Sequence, residues 1–158
     1  MTPAEPVVLR QATVADATAI SALVCDLTQR WIAADCTPDG AARLLQMLAP
    51  GPTATRLGEG YRYVVAQRGQ SLVGVAALRL PAHLFHLFVA DDAQRQGLAR
   101  RMWRTVQAWV DGPSPITVNA SRHALAVYRK FGFEAIAGEV SEHGIVFTPM
   151  EWRPDGEV

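Results

Sequence analysis

The reading turns on one stretch: Leu84-Phe85-His86-Leu87-Phe88-Val89, then Asp91-Asp92-Ala93, then Gln94-Arg95-Gln96-Gly97-Leu98-Ala99-Arg100. His83 to Ala90 is apolar on both faces, which predicts a strand near the centre of a sheet. Asp91 to Gln96 reads as a loop. From Gly97 to about Val110, Leu98, Met102, Val106 and Trp109 recur at helical spacing and predict a helix with one buried stripe. A strand that turns directly into a helix gathers the unsatisfied N–H groups of Gln96, Gly97, Leu98, Ala99 and Arg100 into one concavity. Together with the helix dipole they make an anion site suited to a pyrophosphate. Gly97 and Ala99 would leave the backbone open to a phosphate, but small residues also let a helix pack closely, so the stretch alone leaves both readings open. It is neither a Walker loop nor a G-x-G-x-x-G fingerprint.

Upstream, Val7 to Arg10 predicts a strand, and Thr13 to Asp16 carries a helix-capping signal. Ala17, Ile20, Leu23, Val24, Leu27 and Trp31 then mark one buried face of a helix over 15–34. Thr37-Pro38-Asp39 starts a second helix carrying Leu44, Leu45 and Leu48. Residues 50–60, rich in glycine and proline, read as a loop. Tyr61–Gln67 and Leu72–Leu80 flank Arg68-Gly69-Gln70-Ser71 as a hairpin. Downstream, Ile116–Asn119 reads as a strand. Ser121 caps a helix running to Lys130, and Gly132 is placed to stop it. Phe133–Val140 and Gly144–Trp152 read as a final hairpin. This order predicts an α/β fold, a single domain over 1–158 with its core at about 7–152.

The chain has 158 residues, 49% of them apolar, so it needs neither disulfides nor a structural metal to bury a core. Fifteen basic residues balance fifteen acidic ones, which argues against a general nucleic-acid binder. No apolar run nears the ~18 residues of a membrane span, and Met1–Arg10 lacks the layout of a signal peptide. Cys25 and Cys36 do not form a disulfide framework, and a cytoplasmic protein is expected.

Two motifs together carry a resemblance. Gln94-x-x-Gly97-x-Ala99 fits the Q/R-x-x-G-x-G/A acetyl-coenzyme A motif of the GCN5-related N-acetyltransferases. Asn119-x-Ser121-x-x-Ala124-x-x-Val127-Tyr128-x-x-x-Gly132-Phe133 is similar to that family's second signature. The resemblance spans residues 7–152 in matching element order. It implies the acyl-CoA N-acyltransferase fold, in which a mixed, mostly antiparallel central sheet is flanked by helices. Ala99 stands where many members have Gly. Ser121 stands where Asn is common, so that contact would either be weaker or come from Asn119.

The resemblance further implies acetyl transfer from acetyl-CoA, as cosubstrate, to a primary amine of a small molecule or peptide N-terminus. Leu87, Phe88 and Val89 would line the thioester and offer a backbone N–H to the oxyanion. Gln94 to Arg100, Asn119 and Ser121 would hold the rest of the cofactor, with Arg95 and Arg100 nearest the phosphates. Tyr128 is the candidate proton donor to the sulfur. No Glu stands on the preceding strand, so His83 and His86 are the candidate bases, beside a water-mediated route with no dedicated base. Three residues apart on a regular strand, they should face opposite sides, which also argues against a metal pair. His123 and His143 read as helix-end and turn residues. Trp31, Asp35, Glu59 and Tyr61 are expected on the acceptor side, Asp35 or Glu59 holding an ammonium. Two alternatives stand beside the enzyme: an acetyl-CoA-binding sensor without turnover, and a longer-chain acyltransferase. A homodimer through the edge of the final hairpin is a further expectation.

Overall fold

The computed structural model describes residues 5–154, so any leader reading of the first four residues lies outside it. Strands β1 (Val7–Gln11), β2 (Tyr61–Arg68), β3 (Ser71–Arg79), β4 (His83–Val89), β5 (Ile116–Ala120), β6 (Glu134–Ala135) and β8 (Ile145–Trp152) form the sheet. Their order is β1-β2-β3-β4-β5-β8-β6, and β7 (Val140–Glu142) pairs with β8. Every neighbouring pair is antiparallel except β4 and β5. The expected mixed sheet is therefore present, with β4 at its middle.

Helices cover both faces. On one lie α1 (Ala17–Trp31), α2 (Pro38–Met47) and α3 (Pro50–Gly58), burying Ile20, Val24 and Leu48 against Tyr63, Val65 and Val75. On the other, α4 (Leu98–Trp109) and α5 (Leu125–Lys130) bury Met102, Trp103, Val106 and Tyr128 against Leu84 and Val118. Among the described residues no helix is long and apolar enough to cross a membrane. Asp16 ties the first strand to the first helix, accepting from the Thr13 N–H at 2.8 Å and from the Arg10 guanidinium at 2.8 and 2.9 Å.

Three expectations need correction. Residues 50–58 are a helix, not a loop. Pro50 and Pro52 fall in its first turn, where missing N–H groups cost nothing, and Gly58 falls at its end. The strand expected over 133–140 is broken into β6 and β7, with bends between them. Trp31 leaves the buried stripe: it is 42% exposed and belongs to the rim of the site described below. Gly132 does stop α5 in the left-handed conformation, at φ 98°.

The N-terminus of α2 sits directly on the turn between β7 and β8. The Thr37 N–H donates to the Gly144 carbonyl at 2.9 Å, and the Thr37 side chain caps the Gly40 N–H at 3.0 Å. A Cβ on Gly40 would collide with the Gly144 backbone carbonyl, whereas one on Gly51 would meet nothing within 4 Å. Gly40→Ala should therefore lose about 1–2 kcal/mol despite its better helix propensity. Gly51→Ala should gain a few tenths, and urea unfolding of the pair checks both. A Gly40→Ala protein as stable as the parent would mean that α2 does not dock this closely.

Candidate active site

β4 and β5 stay in register for two residue pairs only, His83 with Thr117 and Leu84 with Val118, and then part. Beyond that point one edge of β4 has no strand beside it. Ala90 donates to the Val73 carbonyl at 2.8 Å, which fixes the alternation of the β3–β4 ladder. The backbone groups of Phe88 then face β3, and those of Leu87 and Val89 face the gap. The Gln94 amide caps the Val89 carbonyl at 3.0 Å and braces the loop that follows.

That loop delivers the helix end. Arg95 adopts φ 65° and Gly97 φ 77°, two left-handed residues that swing the backbone N–H groups inward. Such a conformation strains Arg95 by about 1 kcal/mol, as happens at binding loops. The first intrahelical bond of α4 joins the Arg101 N–H to the Gly97 carbonyl at 3.1 Å. The N–H groups of Leu98, Ala99 and Arg100 thus lack helical acceptors. A Cβ at Gly97 would project into open space. The Arg100 guanidinium lies 5.0 Å above the Phe131 ring.

The gap continues into one cavity of about 800 Å³, within the range of ligand pockets. Leu87, Phe88, Val89, Gln94, Arg95 and Gly97 line it, as do Leu98, Ala99, Arg100, Asn119, Ser121 and Tyr128. Gln96 is exposed and is not part of the lining. The Ser121 hydroxyl caps the Ala124 N–H at 3.2 Å, which leaves Asn119 as the free amide on that wall. Tyr128 is buried, edge-on to Phe133 with ring centroids 5.3 Å apart, and its hydroxyl has no hydrogen-bond partner among the described residues. Burial pushes this phenol well above its ordinary range.

Both histidines line the cavity, and they share a face, contrary to the expectation from regular alternation. Leu78 pairs with Leu84 but Ala77 pairs with His86, so Phe85 is an extra residue and the side-chain alternation resets across it. His83 Nδ1 lies 2.8 Å from Thr117 Oγ1. Desolvation, helped by the nearby Arg79 charge, lowers His83 to about 4. His86 is 5% exposed and packs among Tyr63, Phe85 and Phe88, at ring-centroid distances of 6.0, 4.3 and 5.5 Å. Burial and the Arg56 charge lower it to about 3. Both imidazoles are therefore neutral at pH 7.

The acceptor-side expectations divide. Trp31 does line the cavity, stacked on His123 at 4.6 Å with its indole N–H donating to Asp91 Oδ1 at 3.2 Å. Arg30 reaches the same carboxylate and Asp26. Asp35, Glu59 and Tyr61 are outside the lining. Asp35 pairs with Arg122 at 3.3 Å, which also holds Glu139 at 2.7 Å, so Asp35 is not free to hold an ammonium. Tyr61 packs on Phe85 at 5.1 Å, behind the wall. Sequence reasoning missed Thr28, Arg43, Met47, Arg79 and Phe147, all of which line the cavity. Thr28 alone left a signal, as a polar residue at helical spacing within an apolar stripe. Its hydroxyl is buried without a partner among the described residues, an arrangement that costs about 1–3 kcal/mol. No group of three or more potential metal ligands occurs among the described residues.

A family model described as an acetyltransferase (GNAT) domain matches residues 32–154. Among solved structures, a GCN5-related N-acetyltransferase from Rhodopseudomonas palustris superposes with a TM-score of 0.76 at 23% identity, over 97% of this chain and 99% of that one. PaiA N-acetyltransferase from Thermoplasma acidophilum, in complex with coenzyme A, gives 0.73 at 10% identity, over 94% and 99%. YncA from Salmonella typhimurium, with its cofactor acetyl-CoA, gives 0.66 at 19%, over 97% and 96%. At these identities the likeness to solved structures is one of fold. No curated protein matches the chain in sequence.

Proposed function

This chain belongs to the GNAT acetyltransferase family, and from that premise we propose that it transfers the acetyl group of acetyl-CoA directly to a primary amine of a small molecule or peptide N-terminus. The observation that carries the reading is the parting of β4 from β5, with the bare N-terminus of α4 at the end of the gap. A thioester-bearing chain with amides along it can continue the β4 ladder through Leu87 and Val89. Its pyrophosphate can take the free N–H groups of Leu98, Ala99 and Arg100.

Acetyl-CoA supplies an activated acyl carbon there, and the protein supplies what that carbon's substitution requires. The N–H groups of Leu87 and Val89 face the gap and are the donors for an oxyanion. Tyr128 holds a proton for the sulfur. His83, rather than the enclosed His86, receives the amine proton in the tautomer whose Nδ1–H donates to Thr117 Oγ1, which leaves the lone pair on Nε2. The N–C bond forms as the C–S bond breaks, and the proton lost by the amine balances the one taken by the thiolate.

Calorimetry with acetyl-CoA and thiol release with primary amines test the reading together. Gly97→Val should weaken acetyl-CoA binding at least tenfold, because valine resists φ 77° and would shift the backbone N–H groups that open α4. Unchanged affinity would remove α4 from the cofactor site. Tight binding without release for any primary amine would leave a sensor in place of an enzyme.

A further inference from the structure

The acceptor half of the cavity differs in character from the half beside α4. Its floor and roof are apolar: Leu44 and Met47 on α2, Phe85 on β4, and Ile145 and Phe147 on β8. Its charges are lopsided. Arg43 on α2 and Arg79 at the end of β3 both line it, and neither is in an ion pair among the described residues. Glu142 is the one acidic residue in the whole lining, against Arg43, Arg79, Arg95, Arg100 and Lys130. Glu142 stands at this end, paired in register with Ile145, while Asp35 and Glu139 lie outside the lining and are held by Arg122.

A polyamine or a lysine-rich peptide carries several positive charges and needs carboxylates to hold them. This wall would repel it instead. An acceptor that suits the wall has an apolar body, one amine, and a negative charge to set against the arginines.

Resting on the acetyl-transfer reading above, we infer that the acceptor is an apolar primary amine bearing a carboxylate, its apolar part between α2 and β8 and its carboxylate against Arg79 and Arg43. An amino acid with a large apolar side chain is the simplest such molecule. In water a neutral pocket would favour the decarboxylated amine over the acid. The two arginines reverse that order, because a charge-assisted bond to guanidinium replaces the lost hydration.

The test uses the full chain and matched probes: L-phenylalanine against phenethylamine, L-leucine against isoamylamine, and spermidine. Thiol release with saturating acetyl-CoA should give each amino acid at least a tenfold higher kcat/KM than its decarboxylated partner, about 1.4 kcal/mol, with spermidine inert. Arg79→Gln should bring each ratio close to one; the ratio cancels any effect that the same change has on His83. Calorimetry on the coenzyme A-loaded protein gives an independent readout. There L-phenylalanine or L-leucine should bind to the parent, and Arg79→Gln should lose that binding at least tenfold. Spermidine as the best acceptor, ratios at or below one in the parent, ratios unmoved by Arg79→Gln, or no binding of either amino acid would each overturn the assignment. Failure of acetyl-CoA itself to bind would instead remove the acetyl-transfer reading, and the cofactor titration alone reports it.

Discussion

Replacing Tyr128 with Phe should lower kcat roughly 10²–10³-fold and leave acetyl-CoA affinity within about twofold. The substitution removes one oxygen and keeps the ring that packs edge-on against Phe133, so the fold and the cofactor wall persist. What it removes is a hydroxyl that lines the cavity with no protein partner and that burial keeps protonated at any working pH. A thiol of pKa near 8.5 is a poor leaving group as a bare thiolate in an apolar site. A fixed O–H donor stabilises the charge as it grows on sulfur, at the moment when the gain lowers the barrier. Since the phenol stays protonated, kcat should show no alkaline limb from this group below pH 10. Pre-steady-state thiol release from the Tyr128→Phe protein decides the matter. A kcat within threefold of the parent would make Tyr128 a packing residue.

Acid should destabilise this protein early, and His86→Phe should relieve much of the effect. His86 is lowered to about 3 and His83 to about 4, both by desolvation first. An unfolded histidine titrates near 6.5, so between 6.5 and the folded values the unfolded chain binds more protons. Stability therefore falls as pH drops through that window, and is fully present above it. Each histidine contributes about 1.4 kcal/mol per pH unit once pH is well below 6.5. Phenylalanine fits the aromatic box of Tyr63, Phe85 and Phe88 and has no proton to gain. Urea unfolding at pH 7, 6, 5 and 4.5 should show the stability curves of parent and variant diverging by about 2 kcal/mol over that range. Parallel curves would mean that His86 is solvated and charges freely.

Local physics made the cofactor half of the molecule legible. A strand, a turn and a helix N-terminus are neighbours along the chain, so the element order from Leu84 to Arg100 and the left-handed Gly97 could be read locally. The acceptor half is assembled from α1, α2, the end of β3 and β8, which lie far apart in sequence, and no spacing rule joins Thr28 to Arg79 or Phe147. Asp35 illustrates the loss. Its type suits an ammonium, but its partner Arg122 stands 87 positions away, and only the fold brings them together. The histidine pair failed differently. Alternation along β4 is a rule for regular strands, and one extra residue at Phe85 inverts it for everything before that point. Residues 50–58 failed because glycine and proline counts ignore position, and a proline in a first turn supports the helix it would break elsewhere.

The parting of β4 from β5 also bears on how this protein tolerates mutation. The Leu87 N–H and carbonyl and the Val89 N–H of β4 face the gap, and on the proposed reading a metabolite completes the sheet there. Whatever binds there and not to the unfolded chain shifts the folding equilibrium by mass action, by about 2.7 kcal/mol at a hundredfold excess over its Kd. A substitution of modest cost anywhere in the sheet would then be silent in well-fed cells and exposed in starved ones. The cell's metabolic state becomes a buffer of this chain's sequence variation.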